Sequence, residues 1–195
     1  MFFCEFIKSI TTFSNFSFLN EGSAFQLELW GERVNFTITG LDETTFPEDK
    51  NAMDEFDFTG YEELVYCGYG EPTCALDNLL ASAAYAKEKY GIKVRLNTNG
   101  LANLYHGRNI VPELAKVVDS VSISLNAPTA EKYQKVTRPQ FENAFPALLE
   151  FASLAQETFA HTQFSIVDVL PKEEIEACQK IADERGIYLK IRKFS

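Results

Sequence analysis

From Tyr61 to the end of the chain, short runs rich in Val, Ile, Leu and Tyr alternate with stretches whose apolar positions recur at helical spacing. The short runs Glu63 to Cys67, Lys93 to Thr98, Ser120 to Asn126, Gln163 to Val169 and Tyr188 to Arg192 are expected as β-strands. Between them, Thr73 is placed to cap a helix carrying Leu76, Leu79, Leu80 and Ala83, and Gly91 to close it. Pro112 suits the first turn of a helix carrying Leu114 and Val117. Phe141, Phe145, Leu148 and Leu149 share a helical face, and so do Ile175, Cys178 and Ala182, with Gly186 as the last stop.

This βα alternation predicts an α/β fold with a parallel sheet and helices packed outside it, either doubly wound or rolled into a barrel. Strand Val121-Ser122-Ile123-Ser124-Leu125-Asn126 distinguishes the two, because its odd positions are apolar and its even positions small and polar. Strands of a doubly wound sheet are usually apolar on both faces, whereas a polar inner face suits a barrel whose lumen holds a ligand. Arg95 and Asn97 repeat the pattern one strand earlier, and a strand at a sheet edge is the alternative. Residues 1–60 do not follow the theme: they carry scattered phenylalanines, Trp30, a β-like run from Arg33 to Thr39 and an acidic, loop-prone stretch from Asp42 to Asp57. They are expected as an irregular segment before a βα core over 61–195, the two forming one domain.

The chain of 195 residues is long enough for one full core and too short to suggest two. With 28 acidic against 18 basic residues it carries a formal charge of −10, and no basic cluster is present to hold a nucleic acid. No stretch approaches the roughly 20 apolar residues of a membrane-spanning helix, and Met1-Phe2-Phe3 lacks the basic flank of a secretory signal. A cytoplasmic protein is expected. The four cysteines, Cys4, Cys67, Cys74 and Cys178, form no CxxC pair, which argues against a closed zinc site or a disulfide framework.

Candidate chemistry collects at two strand ends. Gly68-Tyr69-Gly70-Glu71-Pro72 follows the first strand of the core and precedes a helix, and its glycines let the backbone turn sharply and approach a ligand. Asn97-Thr98-Asn99-Gly100 repeats the arrangement one βα unit later and supplies donors and acceptors for hydroxyls, amines or carboxylates. Each string alone is equally readable as an ordinary turn. Parallel neighbouring strands would bring both ends together.

In this order and spacing, Tyr66-Cys67-Gly68-Tyr69-Gly70-Glu71-Pro72-Thr73, Arg95 to Asn103, and Asp119 to Pro128 resemble the radical S-adenosylmethionine (radical SAM) superfamily, and in particular its TatD-associated subgroup. The resemblance covers Glu62 to Arg192. It implies a partial (βα)6, TIM-like barrel lacking its first strand, with S-adenosylmethionine across the carboxyl ends of the strands. By that likeness Gly68, Tyr69, Gly70, Glu71 and Pro72 receive the methionyl amino group, and Asn97, Asn99, Ser124 and Asn126 approach the ribose and the methionyl carboxylate. It further implies a 4Fe-4S cluster on three thiolates spaced Cys-x-x-x-Cys-x-x-Cys, an electron donor such as flavodoxin or ferredoxin, and a 5′-deoxyadenosyl radical acting on an unknown substrate.

The cluster motif is where the sequence departs from that pattern. Phe2-Phe3-Cys4 is similar to the aromatic residue and last cysteine of the motif, which makes Cys4 a candidate ligand, but Met1 stands where the second cysteine would be. The ligand set in this chain is therefore incomplete. A start upstream of Met1 and a degenerate barrel without a cluster are the two explanations, and the chain as written is expected not to assemble the cluster. Cys67, Cys74 and Cys178 are expected in packing positions, and His106, His161, Glu131, Lys132 and Arg138 on the surface. A non-catalytic barrel that binds a nucleoside or acts as a scaffold is the alternative function. A βα hydrolase or aldolase is a further class, against which no strand end carries a Lys or an Asp-His constellation.

Overall fold

The computed structural model describes residues 25–30, 34–38, 50, 53–67 and 70–193. Seven strands form one sheet in the order β2-β1-β3-β4-β5-β6-β7, and its two edges do not pair with each other. β3 (Glu63–Cys67), β4 (Lys93–Thr98), β5 (Ser120–Ser124), β6 (His161–Val167) and β7 (Tyr188–Arg192) run parallel, as the βα alternation requires. β1 (Phe25–Trp30) adds antiparallel to β3, and β2 (Val34–Ile38) antiparallel to β1. The architecture is a partial, open barrel of the expected α/β type. The β-like run Arg33 to Thr39 thus corresponds to β2, whereas β1 has no counterpart in the sequence reading.

Two faces of the parallel strands explain why the sheet sits as it does. Leu64, Tyr66, Val94, Leu96, Val121, Ile123, Phe164 and Ile166 alternate along the strands and are all fully buried. A buried large apolar side chain is worth about 1.5–3 kcal/mol relative to an exposed one, so these positions fix which face carries the helices. That side is covered by α1 (Leu76–Tyr90), α2 (Ala102–His106), α3 (Val111–Leu114), α4 (Ala130–Thr137), α5 (Ala144–Thr158) and α6 (Lys172–Asp183). Tyr66 on β3 bonds Ser82 on α1 at 2.8 Å, and Gly100 is wedged against Ile123 of β5 and Leu148 of α5. The residues between them form the other face. In register across it run Arg95, Ser120 and His161, then Asn97, Ser122 and Gln163, then Ser124, Ser165 and Lys190. The polar alternation read from Val121 to Asn126 is therefore that of a central strand, and the sheet-edge alternative does not apply.

Element ends differ from expectation in several places, among them Val117, which lies beyond α3, and Phe141, which lies ahead of α5. The first helix of the core is entered through a 3₁₀ turn, Pro72–Ala75, capped by Glu71 rather than by Thr73, because the Glu71 side chain accepts from the Thr73 amide. β5 stops at Ser124 because Asn126 takes a left-handed conformation at φ 60°, which Asn tolerates better than most residues. β6 runs from His161 to Val167 rather than to Val169; the chain turns after it, with the Leu170 amide donating to Val167 O. Gly91 closes α1 at φ 63°, as its position predicted.

Candidate functional site

The carboxyl ends of β3, β4, β5 and β6 meet at a cavity of about 200 Å³. Gly70, Glu71, Asn97, Asn99, Ser124 and Asn126 line it, so six of the nine expected cofactor residues converge on one hollow. Pro72 is buried behind them as the first residue of the 3₁₀ turn. Gly68, Tyr69 and the candidate cluster ligand Cys4 lie outside the described residues. The rest of the lining is largely apolar: Leu101 after β4, Tyr133, Val136 and Pro139 on and after α4, and Val167, Val169 and Leu170 at the end of β6. Sequence reasoning missed that wall, since a valine that lines a cleft and one that fills a core look alike in a single chain. Val136 and Val169 are 51% and 63% exposed, which places them at the mouth.

Among the described residues, nothing hydrogen-bonds the side chains of Asn97, Ser124 or Asn126; their polar atoms remain for a guest or for water. Asn99 is half committed. Its Oδ1 accepts from the Leu101 amide at 2.9 Å, which leaves its Nδ2 as a donor toward the cavity.

Glu71 is differently placed. It is 8% exposed, and its Oε1 accepts from the Thr73 amide at 3.3 Å, the Thr73 hydroxyl at 2.7 Å and the Thr98 hydroxyl at 2.7 Å. Its Oε2 accepts from the Asn99 amide at 2.7 Å. Burial pushes the Glu71 carboxyl above the ordinary carboxylate range, and these four donors oppose the push. Thr98 Oγ1 also accepts from the Gly100 amide at 3.1 Å, which directs its own proton to Glu71. Nearby, the His106 ring Nε2 donates to the Thr73 carbonyl at 2.7 Å. His106 was expected on the surface and is instead half-buried, tying α2 to the 3₁₀ turn.

Two cavity neighbours are held in their neutral forms. Burial, with the Glu71 charge beside it, pushes the Cys74 thiol up to about 12, and burial pushes the Tyr133 phenol up to about 12. Below the cavity the inner face is polar and bonded within itself: Arg95 Nε lies 3.2 Å from Glu63 Oε2, and Gln163 Nε2 donates to Ser122 Oγ at 3.0 Å. Glu131, Lys132, Arg138 and His161 are exposed, as expected, and Lys132 pairs with Glu174 of α6 at 2.9 Å. Among the described residues no group of three His, Cys, Asp or Glu side chains could hold a metal ion. Cys67 and Cys74 are half-buried cysteines and Cys178 is a buried one.

A sequence model of the family described as the Radical SAM superfamily matches residues 33–184. Among solved structures, Streptococcus suis SuiB is similar with a TM-score of 0.49 at 20% identity, over 65% of this chain and 28% of SuiB. SuiB bound to S-adenosylmethionine gives 0.48 at 20% identity over the same shares, and SuiB bound to precursor peptide SuiA gives 0.47 at 21% over 65% and 27%. The chain thus spans less than a third of SuiB's length. No curated protein matches it.

Proposed function

Because the chain belongs to the radical SAM superfamily, we propose that the cavity at its strand ends binds S-adenosylmethionine and that the protein acts as a radical SAM enzyme. The observation that supports this most is local: three polar side chains without a partner among the described residues, Asn97 from β4, Ser124 from β5 and Asn126 just after it, line one hollow together with an apolar wall. That combination suits a ligand with hydroxyls and a zwitterionic tail at one end and a flat aromatic base at the other. In this reading the backbone of the turn at Gly70 receives the methionyl amino group. Asn97, Ser124, Asn126 and the free Nδ2 of Asn99 hold the ribose hydroxyls and the carboxylate, and Val167, Val169 and Leu170 face the adenine. A 4Fe-4S cluster, where bound, would supply the electron that turns such a sulfonium ligand to hydrogen-abstracting chemistry. The described residues do not fit a cluster, and its ligation is assigned only as far as Cys4, which lies outside them. Neutral Tyr133 and Cys74 would leave the cavity wall without a charge of its own apart from Glu71.

Calorimetry with S-adenosylmethionine, followed by assay of 5′-deoxyadenosine under reducing conditions, tests the two halves separately. Binding that falls at least tenfold in Gly70→Val is the expected result for this chain, and deoxyadenosine release is expected only from a protein that supplies all three cluster thiolates. Binding without deoxyadenosine from such a protein would leave a nucleoside-binding barrel without catalysis. No binding at all would refute the assignment of the cavity.

A further inference from the structure

We propose that Glu71 is a positioning residue of the cleft: its carboxylate locks the turn after β3 to the end of β4 and does not itself receive the ligand's amino group. The proposal rests on the reading of the cavity as an S-adenosylmethionine site. A carboxylate offers about two lone-pair directions on each oxygen; Glu71 Oε1 accepts from the Thr73 amide, the Thr73 hydroxyl and the Thr98 hydroxyl and is full, while Oε2 accepts from the Asn99 amide. The donors come from both sides of the gap between the two strand ends, so the side chain acts as a bridge. An ammonium at Oε1 would have to displace one of three donors, and at Oε2 it would compete with the Asn99 amide, which has no other partner among the described residues. A buried amide left without an acceptor is the more costly arrangement.

What the bridge holds is the part of the cleft that carries the free polar groups. Asn99 donates its amide to Glu71 while its side chain closes a turn on Leu101, and Asn97 stands on the same strand as Thr98. The chain Gly100 amide to Thr98 hydroxyl to Glu71 continues the bridge into the packed core, since Gly100 at φ 77° sits against Ile123 and Leu148. On the other flank, His106 fixes the Thr73 carbonyl. Loosening Glu71 would therefore misplace the groups that meet the nucleoside as well as those that meet the amino acid tail. A direct contact to the ammonium would affect only the tail.

The two cases separate with Glu71→Gln and Thr98→Val, each measured against S-adenosylmethionine and against 5′-methylthioadenosine, which lacks the α-amino and carboxylate groups of the methionyl tail. Hydrogen exchange at the Thr73 and Asn99 amides is followed in parallel. Glu71→Gln places a donor where only acceptors fit. It is expected to weaken both ligands by a similar factor, about tenfold or more, and to speed exchange at both amides. Thr98→Val, which removes one donor to Glu71 rather than the carboxylate itself, should show the same pattern at smaller amplitude, which keeps the test decisive if Glu71→Gln does not fold. Loss of affinity for S-adenosylmethionine alone, with 5′-methylthioadenosine unaffected and the amides still protected, would overturn the proposal. If the wild-type protein binds neither nucleoside, the assignment of the cavity fails, and unchanged exchange in Glu71→Gln would still refute the bridge.

Discussion

At the scale of single residues, chemistry in this cleft depends on environment more than on residue type. Cys67 lines the cavity and Cys74 stands just behind Glu71, yet spacing alone made both look like packing thiols. The Cys74 thiol, raised from 9.0 to about 12 by burial and by Glu71, has about a thousandfold less thiolate at pH 8 than an ordinary cysteine. Alkylation of the native protein with iodoacetamide at pH 8, read by peptide mass, should therefore leave Cys74 and Cys178 unmodified long after free cysteine has reacted. Prompt labelling of Cys74 would show that the cleft wall opens to solvent. Asn97, Ser124 and Asn126 were readable as cavity-lining residues because short polar side chains interrupt apolar strands there. The four bonds of Glu71 were not readable, because a carboxylate at a helix entrance gives the same sequence signal whether it caps, binds or bridges.

At the scale of elements, alternation carried most of the information. The period of two in Val121 to Leu125 predicted one face under helices and one toward a lumen; Val121, Ile123 and Leu125 are buried, while of the polar positions Ser124 is half-exposed and Ser122 is buried beside Gln163. Strand ends were less legible, since pairing in β5 and β6 stops where the backbone turns, at Asn126 and after Val167, rather than where apolar residues run out. Gly100 is the element-scale position with the least freedom. A Cβ there would stand 3.0 Å from Ile123 Cγ2 and 3.2 Å from the Leu148 Cγ, and both neighbours are fully buried. Added to the cost of a left-handed backbone for an L side chain, Gly100→Ala should destabilise the fold by about 2–3 kcal/mol. In a chain of this size that lowers the melting midpoint by roughly 4–12 °C. An unchanged midpoint in a thermal melt would mean that β5 and α5 can part to admit a methyl group.

At the scale of the whole molecule, the βα core was legible and its attachments were not. Repetition of strand and amphipathic helix defines the parallel strands, whereas β1 lies outside that repeat, and its alternation Phe25-Gln26-Leu27-Glu28-Leu29 signals a strand without naming β3 as its antiparallel partner. The segment leading into β3 is fastened at the far end of α1, by side chains more than thirty residues away. Lys89, Tyr85 and Tyr90 all donate to the Asp54 carboxylate, Tyr90 at 2.8 Å, and the Tyr90 ring stacks on Phe58 with centroids 4.3 Å apart. The bond from Lys89, then those from Tyr85 and Tyr90, hold the Asp54 carboxyl well below its ordinary value of 3.8. A carboxyl lowered in the folded state adds stability that is fully present above about pH 4 and is lost as the pH falls through the folded-state value. Urea unfolding of wild type and Asp54→Asn at steps from pH 7 to pH 2 should therefore show a gap between the two that is constant at neutral pH and closes in acid. A gap of the same size at pH 2 and pH 7 would mean that Asp54 fastens this segment through its shape and hydrogen bonds rather than through its charge.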